Sequence, residues 1–206
     1  MGIYRTLGLS AAAICFRLFA RVHTIGLESV PPNGPLIIIC NHMSYADAPI
    51  LSHVLNRRLH FMAKRSLFNN WLSYLFLTGV DVHPVDSSLL GLQSIQTHLD
   101  LLGKDKAIAM FPEGTRSRTG SMNIGKPGVA YIATKSQAPI LPIAITGTEH
   151  IRGFWRIAFP FSRITVTIGQ PFSLPIVEGS LTKKVLINLT EMIMERIATM
   201  LPKNYR

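Results

Sequence analysis

The sequence predicts an α/β domain: a mostly parallel sheet of about seven strands covered by helices, preceded by an N-terminal amphipathic helix. Three observations carry that prediction. The chain has 206 residues, 48% hydrophobic and only 16% charged, enough apolar matter to bury one sizeable core and too little charge for disorder. Short β-rich runs alternate with longer helical ones, as expected of strand, helix and strand units. The strands are continuously apolar, as in Leu36-Ile37-Ile38-Ile39, the pattern of strands buried on both faces.

In chain order, Arg5 precedes an apolar run from Leu7 to Phe16, which is followed by Arg17 and Arg21. The run resembles a short signal segment but lacks a small-residue cleavage site, so residues 1–20 read as a retained helix. With Ile3, Leu7, Ile14, Leu18 and Phe19 to one side, it fits either the headgroup plane of a membrane or the surface of its own domain. Met1-Gly2 followed by Thr6 also matches the bare myristoylation pattern. Strands are expected at 21–27, 36–40, 59–63, 80–85, 107–111, 140–145 and 164–168, and helices at 46–55, 67–77, 89–102, 128–136 and 181–201. Pro31-Pro32-Asn33-Gly34-Pro35 turns the chain into the first buried strand. The uncharged stretch 66–80 carries Asn69, Asn70 and Ser73 and is shorter than the ~20 apolar residues of a membrane span, so it reads as a buried or interfacial helix.

Charge narrows the partners. Lys and Arg total 21 against 11 Asp and Glu, a formal +10, with a pI near 10.1 and a mean hydropathy of +0.28. The partner is therefore anionic, and basic residues spread thinly among apolar ones favour a membrane surface over nucleic acid. Arg57, Arg58, Lys64 and Arg65 form the densest basic group, expected to meet anionic headgroups. Cys15 and Cys40 make neither a disulfide framework nor a zinc site, which fits a reducing compartment. The histidines at 23, 53, 60, 83, 98 and 150 show no metal-ligand spacing.

Ligands of parallel sheets collect at the carboxyl ends of the strands, and two such ends carry chemistry. After 36–40 comes Asn41-His42-Met43-Ser44-Tyr45-Ala46-Asp47. In one continuous helix His42 and Asp47 would point about 140° apart, so they meet only if His42 sits on the turn and Asp47 on the first helical turn. A carboxylate on one imidazole nitrogen fixes the tautomer and leaves the other nitrogen as a general base. The same residues, Ser44-x-x-Asp47, also fit a helix capping box. No Gly-x-Ser-x-Gly elbow occurs, so the nucleophile is expected to be a hydroxyl brought by the substrate; Cys40, two residues before His42, is the alternative. The second strand end is Phe111-Pro112-Glu113-Gly114-Thr115-Arg116-Ser117, where a glycine and a guanidinium suit an anion pocket. Gly120 to Lys126 matches Gly-x4-Gly-Lys, but Pro127 stands where a P-loop needs its hydroxyl, which excludes nucleotide hydrolysis.

Asn41-His42-x4-Asp47, Phe61-Met62-Ala63-Lys64, Phe111 to Ser117 and Leu141-Pro142-Ile143-Ala144-Ile145, in this order, resemble the four sequence blocks of the lysophosphatidic acid (1-acylglycerol-3-phosphate) acyltransferase family. The resemblance covers roughly residues 27–168; His-x4-Asp alone is weakly specific and the FPEGTRS heptapeptide strongly so. It implies transfer of a fatty acyl group from acyl coenzyme A or acyl carrier protein to a hydroxyl of a lysoglycerolipid in phospholipid biosynthesis, with no metal and no cofactor beyond that co-substrate. It further implies His42 as general base and Asp47 as its orienting carboxylate. Glu113, Gly114, Thr115, Arg116 and Lys64 would bind the acceptor, with Lys126 beside them. Residues 21–206 become the acyltransferase domain and residues 1–20 a membrane-associating helix, at the cytoplasmic face of an anionic membrane. One departure stands out: the family usually has Pro-Val-Asp-Arg where this chain has Pro84-Val85-Asp86-Ser87. A missing guanidinium removes a contact of about 1.5–3 kcal/mol, so a different lysolipid is the alternative acceptor. Ser66 likewise stands where many members have Glu. Two further readings remain, a non-catalytic lipid-binding protein and a thioesterase in which water replaces the acceptor.

Overall fold

A seven-stranded sheet runs through the middle of the computed structural model, which describes residues 13–85, 92–151, 153–157 and 159–206. The strands are β1 (Ala20–Ile25), β2 (Leu36–Cys40), β3 (Leu59–Lys64), β4 (Val82–Val85), β5 (Ala107–Met110), β6 (Ile140–Thr146) and β7 (Ser162–Ile168). Their spatial order is β1-β7-β6-β2-β5-β3-β4. Strands β6, β2, β5, β3 and β4 are mutually parallel. β7 pairs antiparallel with β6, and β1 runs parallel to β7, so the amino ends of β1 and β7 share an edge with the carboxyl ends of the other five.

Helices cover both faces, as continuous apolar strands require. Residues 13–19 form helix α1; α2 (Asp47–Val54), α3 (Trp71–Gly79), α4 (Leu92–Leu102), α5 (Gly128–Ser136) and α6 (Lys183–Ala198) follow. All five residues of β2 are buried, and they divide by alternation. Ile38 and Cys40 pack with Phe16 of α1, Ile50 and Leu51 of α2, and Phe76 and Leu77 of α3. Ile37 and Ile39 pack with Leu99 of α4, Val129 and Ile132 of α5, and Leu189 and Ile193 of α6. Helices α1 to α3 thus own one face of the sheet and α4 to α6 the other.

Several expected boundaries move for local reasons. The helix expected at 67–77 becomes a 3-10 turn, Arg65–Phe68, and then α3. Asn69 and Asn70 separate the two, short polar side chains that compete with helical hydrogen bonding. The strand expected from residue 80 begins at Val82, because Asp81 adopts a left-handed φ of 54°, a conformation Asp tolerates better than most residues. The last helix is trimmed to Lys183–Ala198, with the Thr182 side chain accepting from Val185 N at its start. Residues 1–12 with the myristoylation pattern, and residues 86–91 with Ser87, lie outside the described residues. No described helix is long and apolar enough to cross a membrane.

The expected four-residue basic group divides into two. Arg57 donates to the carbonyls of Pro31 and Gly34, and Arg58 makes a bidentate pair with Asp81 at 2.7 and 2.9 Å. Lys64 and Arg65 lie at the far end of β3 and are exposed. A six-residue strand spans about 20 Å, so only the second pair belongs to the edge where β2 and β5 end.

Candidate active site

The site begins where β2 runs out of partners. The β2–β6 register ends at Cys40 opposite Ile143, and the Asn41 side chain then carries the pairing one step further. Its Nδ2 donates to Ile145 O at 2.8 Å, and Ile145 N donates to its Oδ1 at 2.7 Å. This fully buried amide fixes the backbone immediately before His42 and satisfies β6 main-chain groups that would otherwise be orphaned.

His42 follows on the turn, with its main chain held from both sides by the segment after β5. His42 N donates to Glu113 Oε1 at 2.8 Å, and Ser117 N donates to His42 O at 2.7 Å. The ring lies flat on Phe111, with centroids 3.9 Å apart and planes 15° from parallel. Nδ1 sits 2.8 Å from Asp47 Oδ2; the carboxylate assigns the proton to Nδ1, which donates, and leaves a lone pair on Nε2. The His42 side chain is 18% exposed while that of Asp47 is wholly buried, so the imidazole reaches solvent and its anchor does not.

Asp47 opens α2, and its Oδ2 also accepts from Met43 N and Ser44 N, each at 2.8 Å. One oxygen therefore closes the turn and orients the imidazole, so the capping and catalytic arrangements of the sequence coincide in one atom. The geometry differs from a capping box, because Ala46 is the cap residue. Ser44 Oγ instead accepts from Ala46 N and donates to Ile151 O at 2.7 Å. Asp47 Oδ1 is buried without a hydrogen-bond partner. A desolvated carboxylate in that state gains most when its neighbour becomes positive, which is what a protonated His42 supplies.

Glu113 is 1% exposed. Its Oε1 receives His42 N and its Oε2 receives Asn123 N at 2.8 Å. Burial raises its pKa from the ordinary carboxylate value, and hydrogen bonds from the Asn123 and His42 amides and the Asn123 side chain pull it partly back. Each oxygen thus receives a main-chain amide, with the Asn123 side chain adding to one turn, and Glu113 acts as a strut between the two turns. Gly114 takes a φ of 68°, where a side chain would be strained; a Cβ there would also meet Lys126 Nζ at 2.8 Å. Thr115 is exposed. The Arg116 guanidinium lies 3.6 Å over the Tyr45 ring, a cation–π contact that aims it beside the His42 turn. Lys64, exposed at the carboxyl end of β3, occupies the same sheet edge, with β5 between it and β2.

Cys40 is a core side chain. It is fully buried, its Sγ donates to Asn41 Oδ1 at 3.7 Å, and burial followed by the Asp47 and Glu113 charges pushes its thiol well above the usual range. A nucleophilic thiolate needs the opposite environment.

Four contributors carry no reading of their own in the sequence. Asn41 and Phe111 sit inside the quoted motifs, but strand pairing and ring stacking by particular side chains leave no spacing signature. Asn123 reaches Glu113 from ten residues away through its main-chain amide and its side chain, a contact no spacing in the sequence announces. Tyr205 donates to Glu149 Oε1 at 2.6 Å while its carbonyl accepts from Met122 N, tying the loop after β6 to the loop after β5; only the fold brings it there.

A mostly parallel α/β sheet that presents an Asp-anchored, solvent-reaching histidine at the carboxyl end of a buried strand has the arrangement of a group-transfer protein. Comparison with known proteins makes this specific. A family model described as Acyltransferase matches residues 21–146, and the chain belongs to that acyltransferase family. It is 28% identical over 190 residues to the 1-acyl-sn-glycerol-3-phosphate acyltransferase of Bacillus subtilis (strain 168), covering 91% of this chain and 92% of that one. A Chlamydomonas reinhardtii protein of the same name is 36% identical over 136 residues, 63% of this chain and 40% of the relative. The human 1-acyl-sn-glycerol-3-phosphate acyltransferase alpha is 33% identical over 132 residues, 63% and 47% respectively. The chain therefore matches less than half the length of the algal and human relatives. In fold it is similar to the crystal structure of the 1-acyl-sn-glycerophosphate acyltransferase PlsC from Thermotoga maritima, with a TM-score of 0.67, 22% identity and coverage of 98% of this chain and 80% of that one.

Proposed function

We propose that the protein moves a fatty acyl group from acyl coenzyme A or acyl carrier protein to the hydroxyl of a lysoglycerolipid, with 1-acylglycerol-3-phosphate as the first acceptor to test. The observation that carries this reading is the His42–Asp47 pair: Nδ1 is anchored at 2.8 Å on a buried carboxylate and Nε2 is left on the accessible side. Nε2 takes the proton of the acceptor hydroxyl as its oxygen attacks the thioester carbonyl, forming the new C–O bond. Collapse of the tetrahedral adduct breaks the C–S bond, and the departing thiolate takes the proton from Nε2. No acyl-enzyme is required. Asp47 stabilises the imidazolium between the two transfers.

Arg116, Lys64 and Lys126 supply positive charge at this edge for the acceptor phosphate, and Gly114 lets the loop lie close. Glu113 serves acceptor binding by fixing that loop. The alternative acceptor, a lysolipid without the free phosphate, rests on Ser87 standing where an arginine is usual. The lipid acceptor also implies operation at an anionic membrane surface.

The test follows thiol release from palmitoyl coenzyme A, and separately from palmitoyl acyl carrier protein, with a panel of lysolipids and with His42→Ala alongside. Release that requires one lysolipid and disappears in the variant supports acyl transfer and names the acceptor. Release indifferent to acceptor supports hydrolysis, and silence with both donors supports a non-catalytic lipid-binding protein.

A further inference from the structure

Two groups of large apolar side chains stand exposed on the sheet edge that carries His42, one on each flank. On the β1 and β7 flank, α1 exposes Ile14 and Leu18, and Phe159 and Phe161, entering β7, are exposed while packing around Phe19 at 5.2 and 5.3 Å. On the β3 and β4 flank, the Arg65–Phe68 turn and α3 expose Leu67, Trp71, Tyr74 and Leu75, with Trp71 75% exposed. Trp71 opens α3, and α3 follows the carboxyl end of β3 and leads back to the amino end of β4. The aromatic cluster therefore lies toward the His42 edge. Both flanks belong to the sheet face covered by α1, α2 and α3.

Charge is divided the same way. Lys64 and Arg65 are exposed ahead of α3, Arg17 is exposed on α1, and residues 64–80 contain no acid. Among the described residues the exposed acids lie elsewhere. Glu28 follows the carboxyl end of β1, and Asp100 and Asp105 precede the amino end of β5, both at the opposite edge; Glu178, Glu191 and Glu195 lie on or just ahead of α6, on the other face. Glu149, near the site, is held by the Tyr205 hydroxyl.

We propose that the two flanks dock together on an anionic lipid leaflet, with Trp71, Tyr74, Leu67 and Leu75 as a second insertion point across from α1, so that His42 faces the leaflet from between them. This rests on the reading of the acceptor as a lysolipid. Aromatic side chains with an apolar body and polar tip settle at the headgroup boundary, and nearby Lys and Arg add attraction to anionic lipid. A single anchor leaves the domain to rotate about it, whereas two anchors astride the site fix which edge meets the bilayer.

Trp71 is one of two tryptophans, so a Trp155→Phe background isolates its emission. With phosphatidylcholine–phosphatidylglycerol vesicles carrying brominated chains, Trp71 emission is expected to shift to the blue and be quenched. Trp71→Glu, and independently Tyr74→Ser, are expected to weaken vesicle binding by about tenfold. They should raise KM for a vesicle-borne lysolipid while leaving turnover of a short-chain lysolipid dissolved as monomers unchanged. The proposal is overturned if wild type binds vesicles with Trp71 unquenched and both variants bind as tightly. It is equally overturned if Trp71 emission shifts with protein concentration alone, which would assign the patch to a second copy of the chain. If wild type binds no vesicle, the membrane reading falls with the proposal, and the monomeric-acceptor assay separately decides acyl transfer.

Discussion

The turns that follow β2 and β5 each bury one carboxylate beside the same histidine, yet Asp47 holds its ring and Glu113 holds its backbone. Asp47 lies five residues from His42 and spends one oxygen on Nδ1 and two local amides. Glu113 comes from another strand and spends both oxygens on amides that belong to different turns. The first arrangement sets the tautomer of the imidazole; the second sets where the residue sits. Two acidic residues of equal prominence in the sequence thus separate into a carboxylate coupled to the imidazole ring and one coupled to the position of its turn.

Mutation should separate them. His42→Ala removes the base and should lower kcat by about 10³-fold with little change in thermal stability, read by thiol release beside a melting curve. Asp47→Asn should lower kcat by about 10²-fold, because the amide cannot stabilise the imidazolium equally and sets its NH₂ or its lone carbonyl among three donors. Full activity in Asp47→Asn would remove the imidazole half of the contrast.

Glu113→Gln should instead show first in unfolding, losing about 1.5–3 kcal/mol in urea titration as one charged acceptor is replaced by a donor facing an amide. Its kcat loss should be smaller than that of Asp47→Asn. If this variant unfolds like wild type and changes only the acceptor KM, Glu113 touches the acceptor and the comparison breaks.

Acid tests the scaffold through stability, separately from turnover. His98 of α4 is buried, its Nδ1 donates to Ser94 O at 2.7 Å, and burial lowers its pKa from 6.5 to about 4. Such a histidine is neutral in both folded and unfolded chains at pH 7. As pH falls below 6.5 the unfolded chain takes up a proton that the folded chain refuses, so stability is lost between about pH 6.5 and 4. The loss at pH 5.5 is about 1.4 kcal/mol, in urea titrations at the two pH values. His60 and His83, also lowered by burial and stacked 5.4 Å apart, add in the same direction, with Asp81 opposing and Arg58 reinforcing. A His98→Asn variant should flatten this dependence. The smallest effect is expected from Arg116→Lys, which loses the flat guanidinium over Tyr45 and should raise the acceptor KM a few-fold, about 0.5–1 kcal/mol.

Much of this was readable in the residues. Alternation of apolar strands with helical runs marks all seven strands within a residue or two, and β2 and α5 coincide with their expected bounds. The separation of His42 and Asp47 already demanded a turn followed by a helix. What stayed hidden is non-local. The reversed direction of β1 and β7 is a property of pairing, which one strand's composition does not encode. The division of the basic group depends on β3 lying extended between Arg58 and Lys64. Glu113 as a strut depends chiefly on two main-chain amides, groups that every residue except proline carries, with the Asn123 side chain beside them.

The pairing of β1 with β7 has a consequence for how the chain comes together. Ala20 finds Ser162 and Ile25 finds Thr167, so the first strand waits for nearly the last before it gains a neighbour. Contacts this far apart in sequence close late and slowly. While β2 to β6 assemble from nearer partners, the α1 and β1 segment remains an apolar, arginine-studded tether without a docking place in the sheet. Pulse-labelled hydrogen exchange during refolding should find the amides of β1 and β7 protected together and after those of β2 and β5. On a ribosome, that delay leaves the tether without its sheet partner until β7 has emerged.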